Sequence, residues 1–187
     1  MMSKITTVLF LPLVVFLGGA WLMSEMGGRT YILNRLAVSS LPACEKKPLN
    51  QRLGYDKSAV ARYWNTFDQT ALKSEQYLLE LDLVFPLIYS AAFVTSLVLV
   101  WAMLDRPFNA IWIVAPAAVV VLADWAENLT LIGQLKRFRL NGDESLQASM
   151  IKFASLATCT KLITFCTLAL FIAALVALFL MRAFRDD

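Results

Sequence analysis

Histidine is absent from the 187 residues, and this absence excludes more chemistry than any other feature of the composition. Without imidazole there is no zinc triad, no histidine-ligated haem, no histidine-based di-iron centre and no Ser–His or Cys–His nucleophile pair. Cysteine is nearly as scarce. Cys44 stands alone, while Cys159 and Cys166 lie seven positions apart, roughly 10 Å along a helix and too far to bridge. No C-x-x-C occurs, so neither a redox pair nor a zinc site is indicated. Charge is thin, at 17% of residues where a soluble domain carries about 25%. Repeats, low-complexity tracts and signs of a second domain are also missing.

What remains is apolar. Hydrophobic residues make up 59% of the chain, and they gather into four runs without a charge: 5–23, 83–104, 107–123 and 162–181. A helix of about 20 apolar residues crosses ~30 Å of hydrocarbon, and backbone groups in lipid must be satisfied within their own segment. No alternating ten-residue strands suggest a barrel. The expected fold class is therefore all-α, an integral membrane four-helix bundle forming a single membrane domain over 1–187. Its transmembrane helices are expected at about 5–24, 78–104, 108–135 and 151–182, with an extramembrane loop at 25–77. The first run is read as a retained span, because it is longer than a signal-peptide core and Gly18-Gly19-Ala20-Trp21 offers no A-x-A site.

The long loop carries its own pattern. From Asp56, a plausible N-cap, apolar residues fall at Val60, Tyr63, Trp64 and Phe67, the stripe of an amphipathic helical segment lying on the bilayer or over the bundle. A short interfacial helix is expected over 30–38, and from Leu72 the pattern runs into the second span as one long helix. Eleven Lys and Arg in the long and medium loops, against four on the other side, favour those loops facing the cytoplasm. The net charge of +3 suits anionic headgroups, and no nucleic-acid module is present.

Against this background a few polar residues stand out. Asp82 and Tyr89 share a face of the second span, two turns apart. Asp124, Glu127 and Asn128 form an i, i+3, i+4 stripe on the third, and Lys161 lies on the last. Counted from Leu135 and Ile151, Glu127 and Lys161 lie roughly 12 and 15 Å deep at 1.5 Å per residue, in one leaflet. Charge in hydrocarbon costs about 2.5–3.5 kcal/mol per group on insertion scales, so these side chains are expected to turn inward and meet. A structural clamp is one reading, with Lys161 paired to Asp124 or Glu127 and Tyr89 donating to Asp82. Three carboxylates against one lysine leave two negative charges over, so either one or two are protonated, Asp82 reaches the headgroups, or a cation, a basic ligand or a neighbouring chain's arginine completes the set. Carboxylates without histidine or thiolate suit Mg²⁺ better than zinc. Pro86 and Pro116 each free a carbonyl that hydroxyls or water must satisfy. Ser155, Thr158, Thr160, Thr164 and Thr167 are read first as small-residue helix packing.

These residues carry a resemblance. Asp82-Leu-Val-Phe85-Pro86-Leu-Ile-Tyr89, Asp124-Trp-Ala-Glu127-Asn128 and Ala154-Ser155-Leu-Ala-Thr158-Cys-Thr-Lys161 resemble D-x-x-F-P-x-x-Y, D-x-x-E-N and A-S-x-x-T-x-x-K on successive helices. That pattern belongs to uncharacterised bacterial polytopic membrane proteins with no established activity. The likeness spans about 54–170 and implies a bacterial inner membrane and a shared polar site, but no reaction. Three functions follow from the sequence. The first is a non-enzymatic subunit or accessory factor whose polar cluster binds a cation, ligand or partner helix, in a homo-oligomer or larger complex. The others are an oligomeric ion- or proton-conducting protein and a lipid-modifying membrane enzyme.

Overall fold

A computed structural model of the protein describes residues 46–104, 109 and 111–185, together with positions 14, 17–19, 21 and 25–27. The expected helix at 30–38 and Cys44 lie outside the described residues, as does most of the first apolar run. The described residues form helices and no strands. After a 3-10 turn at Leu49–Gln51 come α1 (Lys57–Asn65), α2 (Gln69–Leu81), α3 (Phe85–Met103), α4 (Ile111–Asn141), a second 3-10 turn at Asp143–Ser145, and α5 (Ala148–Arg185). Three stretches are long and apolar enough to cross a membrane: Gln69–Ala102, Val114–Asn141 and Ala148–Phe179.

Helix ends follow local chemistry. Asp56 caps α1 by accepting the Ala59 N–H at 2.8 Å, and Asp68 caps α2 through Ala71 at 2.7 Å. Gly142 ends α4 at φ +69°, donating its N–H to Phe138 O at 2.8 Å.

The expected continuous helix from Leu72 into the second span is corrected by a break at Asp82, Leu83 and Val84. Pro86 has no N–H to return to the Asp82 carbonyl, and the chain tightens into short-range bonds: Leu83 to Glu80, Val84 to Leu81 and Leu87 to Val84. A new helix then starts with proline in its first turn, where the missing donor costs nothing. Two carbonyls are left over at the break, and both point to α4.

The helices enclose two apolar cores. One, a cap, gathers Leu49, Val60, Trp64, Leu72, Leu131, Leu135, Phe138, Leu146 and Ile151 from the loop, α1, α2 and the near ends of α4 and α5. The other, a shaft, packs Leu97 and Val100 of α3 against Ala117 of α4 and Leu168 and Leu175 of α5. Leu135 and Ile151, from which depth was counted in the sequence, pack inside the cap. Glu80, two residues before Asp82, is exposed, and the 19 residues of α3 beyond the break span roughly 28 Å at 1.5 Å per residue. The polar residues mark the junction of cap and shaft, within the three long apolar stretches.

Of the first apolar run, Gly19 approaches α3 so closely that a methyl group there would collide with Ile88. Gly27 lies against Leu78 and Leu81 of α2.

Candidate functional site

The polar residues converge at that junction. Lys161, from α5, places Nζ 2.9 Å from Asp124 Oδ1 and 2.5 Å from Glu127 Oε2. The pairing follows from helical spacing, since Asp124 and Glu127 are one turn apart on the α4 face that meets α5. Tyr89 donates to Asp124 Oδ2 at 2.7 Å, and Asn128 Nδ2 donates to Asp124 Oδ1 at 3.2 Å. Tyr89 therefore serves Asp124, not Asp82 as expected, because the break before α3 separates the two residues that a continuous helix would have aligned. Glu127 and Asn128 are fully buried, Asp124 is 2% exposed and Lys161 8%. Asp82 is half-buried and reached by two amides, Asn128 at 3.1 Å and Asn50 at 3.0 Å, both donating to Oδ2. All six expected residues are brought together.

The carbonyls freed at Pro86 are satisfied from α4. Asn128 Nδ2 lies 3.4 Å from Asp82 O, and the Trp125 indole donates to Leu83 O at 2.8 Å. The sequence reading assigned this task to hydroxyls or water; an amide and an indole perform it.

A roof and a floor complete the layer. In the roof, Gly54 adopts φ +96°, which turns the chain so that Leu53 faces solvent while Tyr55 drops onto the site. The Tyr55 N–H donates to Ser155 Oγ at 2.9 Å, and its hydroxyl meets Thr158 Oγ1 at 3.2 Å and Glu127 Oε1 at 3.4 Å. Thr158 in turn donates to Glu127 Oε1 at 2.5 Å. Burial, reinforced by the charge of Glu127, pushes the Tyr55 phenol well above its ordinary value, so it remains a protonated donor. The floor is aromatic: Phe165 packs edge-on against Tyr89 and Phe93, with Phe85 against Tyr89.

Asn50 and Tyr55 were missed in the sequence because one asparagine and one tyrosine in a polar loop carry no pattern. A turn glycine, Gly54, beside an aromatic residue was the available signal. Ser155 and Thr158 do more than the packing assigned to them, while Thr160 and Thr167 are exposed. Among the described residues no group of three or more acidic or thiol side chains is arranged to hold a metal ion. Within the layer three carboxylates face one ammonium, an excess of two negative charges when all are ionised. No protein-family model, curated protein or solved structure matches the chain.

Proposed function

We propose that the chain is a small multi-pass protein of a bacterial inner membrane, a non-enzymatic subunit or accessory factor whose polar layer binds a small cation. In this reading the first apolar run supplies the fourth helix of the bundle, and the helix at 57–65 is its amphipathic cover. The observation that carries the proposal is the uncompensated charge: Lys161 is shared by Asp124 and Glu127, and Asp82 Oδ2 is met by two neutral amides, with no ion pair to it among the described residues. Buried carboxylates without counter-charge are costly, and a bound cation offsets that cost. The three-helix pattern that resembles bacterial polytopic proteins falls on the same residues and supports the same site.

A ligand site closed toward the far face is favoured over conduction. The aromatic floor and the apolar shaft around Leu97, Val100 and Leu168 lie across any route onward from the layer. A partner helix docking into the layer is disfavoured by its burial within this chain. A second reading, a structural clamp alone, is favoured by the donors that reach each carboxylate, since such bonds fix helix register at about 0.6 kcal/mol apiece.

Native mass spectrometry of the detergent-purified chain separates the two. Binding predicts a retained small-cation adduct that disappears in Asp124→Asn/Glu127→Gln while membrane insertion persists. An adduct-free wild type, or an adduct unchanged in the double variant, refutes it.

A further inference from the structure

The two amides that meet Asp82 Oδ2 are held in unequal ways. Asn128 Nδ2 lies 3.1 Å from Asp82 Oδ2, and also 3.2 Å from Asp124 Oδ1 and 3.4 Å from Asp82 O. Asn128 is fully buried and keeps its other two acceptors if the Asp82 carboxylate loses its charge. Asn50, in the 3-10 turn of the roof, has one side-chain bond among the described residues, 3.0 Å to Asp82 Oδ2. Its Oδ1 is buried and meets no donor there. Burying an unmet polar group is costly, so a single acceptor decides where this amide stays.

That bond is also the only side-chain hydrogen bond from the turn at Leu49–Gln51 to the helices, among the described residues. Further along the roof, Arg52 donates Nε to Lys47 O at 2.8 Å and stacks 4.8 Å over the Tyr63 ring, neither of them part of the layer. Leu53 faces solvent, and Tyr55 is seated by its N–H on Ser155 and its hydroxyl on Thr158. Tyr55 therefore rests chiefly on neutral groups, whereas Asn50 rests on a carboxylate. An amide donating to an ionised acceptor forms a bond about twice as strong as one to a neutral acceptor. Asp124 of α4 and Lys161 of α5 act on the Asp82 charge with opposite signs, and Tyr89 of α3 feels it in turn. Lys161 Nζ itself is held by Asp124 and Glu127.

We infer that Asp82 and Asn50 form a charge-sensitive latch. The ionised carboxylate holds the turn at Leu49–Gln51 down on the layer; neutralising it frees Asn50 and loosens the turn while Tyr55 stays seated. The inference rests on the proposed uptake of positive charge by the layer and adds its regulation: uptake that neutralises Asp82 is registered on the loop side. Release is local, because Leu49 in the cap core and Arg52 against Tyr63 retain the ends of the segment.

Hydrogen exchange of the full chain in detergent reads the latch. Gln51 N–H donates to Pro48 O and Arg52 N–H to Leu49 O, both at 3.1 Å, so these amides report the turn. The Tyr55 N–H, on Ser155 Oγ, is the internal reference. Asp82→Asn is expected to speed exchange at Gln51 and Arg52 about tenfold, the difference between a charge-assisted and a neutral bond. Asn50→Ala, outside the apolar helices, gives a similar acceleration, and the double variant no more than either alone, since both remove one contact. Tyr55 keeps its wild-type rate throughout. Unchanged rates at Gln51 and Arg52 in both single variants, additive acceleration in the double variant, or acceleration shared by Tyr55 overturns the inference. None of these rates depends on an adduct: their failure leaves cation binding standing, and an adduct-free wild type in native mass spectrometry refutes cation binding without touching the latch.

Discussion

Trp125 donates its indole N–H to the carbonyl of Leu83 across the gap between α4 and the break that precedes α3. The bond compensates for a proline three residues along the chain from Leu83: Pro86 ends the regular ladder, and α4 supplies the missing donor. Trp125→Phe keeps the ring and removes the donor, and it is expected to lower stability by about 1–3 kcal/mol, the cost of a stranded polar group. Adding Pro86→Ala restores a backbone N–H at the break and is expected to recover part of that loss. Thermal unfolding of the two variants in detergent checks both expectations.

Lys161 neutralises part of the charge of two buried carboxylates, so its loss is predicted to cost more than its bonds contribute. Lys161→Met is expected to destabilise by about 3–5 kcal/mol, because it leaves buried charges unpaired. Asp124→Asn and Glu127→Gln added to Lys161→Met are expected to restore most of the stability, since the triple variant buries no charge at those positions. Urea or thermal unfolding of the single and triple variants measures the difference.

The roof is predicted to respond to alkali through Tyr55. Its phenol is raised in the folded state by burial, whereas in the unfolded chain it titrates near 10. Between those values the unfolded state has lost a proton that the folded state keeps. The contribution is therefore complete below about pH 10 and declines as pH rises through the range above it. Tyr55→Phe is expected to cost about 1 kcal/mol at neutral pH through the lost hydroxyl bond, and to flatten the alkaline decline. Stability measured from pH 8 to 11 in both proteins checks the sign.

Gly54 and Tyr55 are predicted to act together. At φ +96° an alanine is strained by about 1–2 kcal/mol. The expected relief is withdrawal of Tyr55 from the layer, seen as increased hydrogen exchange at residues 50–56 in Gly54→Ala.

The all-helical fold and the membrane-compatible helices were legible because unbroken apolar runs admit few alternatives. Asp82, Asp124, Glu127, Asn128 and Lys161 were legible for a related reason: polar groups in apolar runs need partners, and a helix leaves few faces on which to find them. Pairing was harder. Tyr89 was matched to Asp82 because both lie on one helical face, and the break at Pro86 rotates that face, although proline opening an apolar run is itself a helix-start signal. Leu131, Leu135 and Ile151 are as apolar as lipid-facing residues, yet they fill the cap, a role that hydropathy alone does not distinguish. Asn50 and Tyr55 reach the layer only through the fold of the loop, which no periodicity in the sequence describes.

The account as a whole rests on an excess of negative charge held between cap and shaft. Equilibrium dialysis of the purified chain against sodium, with cations counted by elemental analysis, tests it most directly. The prediction is one bound cation per wild-type chain and none when Asp82→Asn, Asp124→Asn, Glu127→Gln and Lys161→Met are combined. A wild type that binds no cation, or the same number bound by both proteins, contradicts the account and leaves a structural clamp.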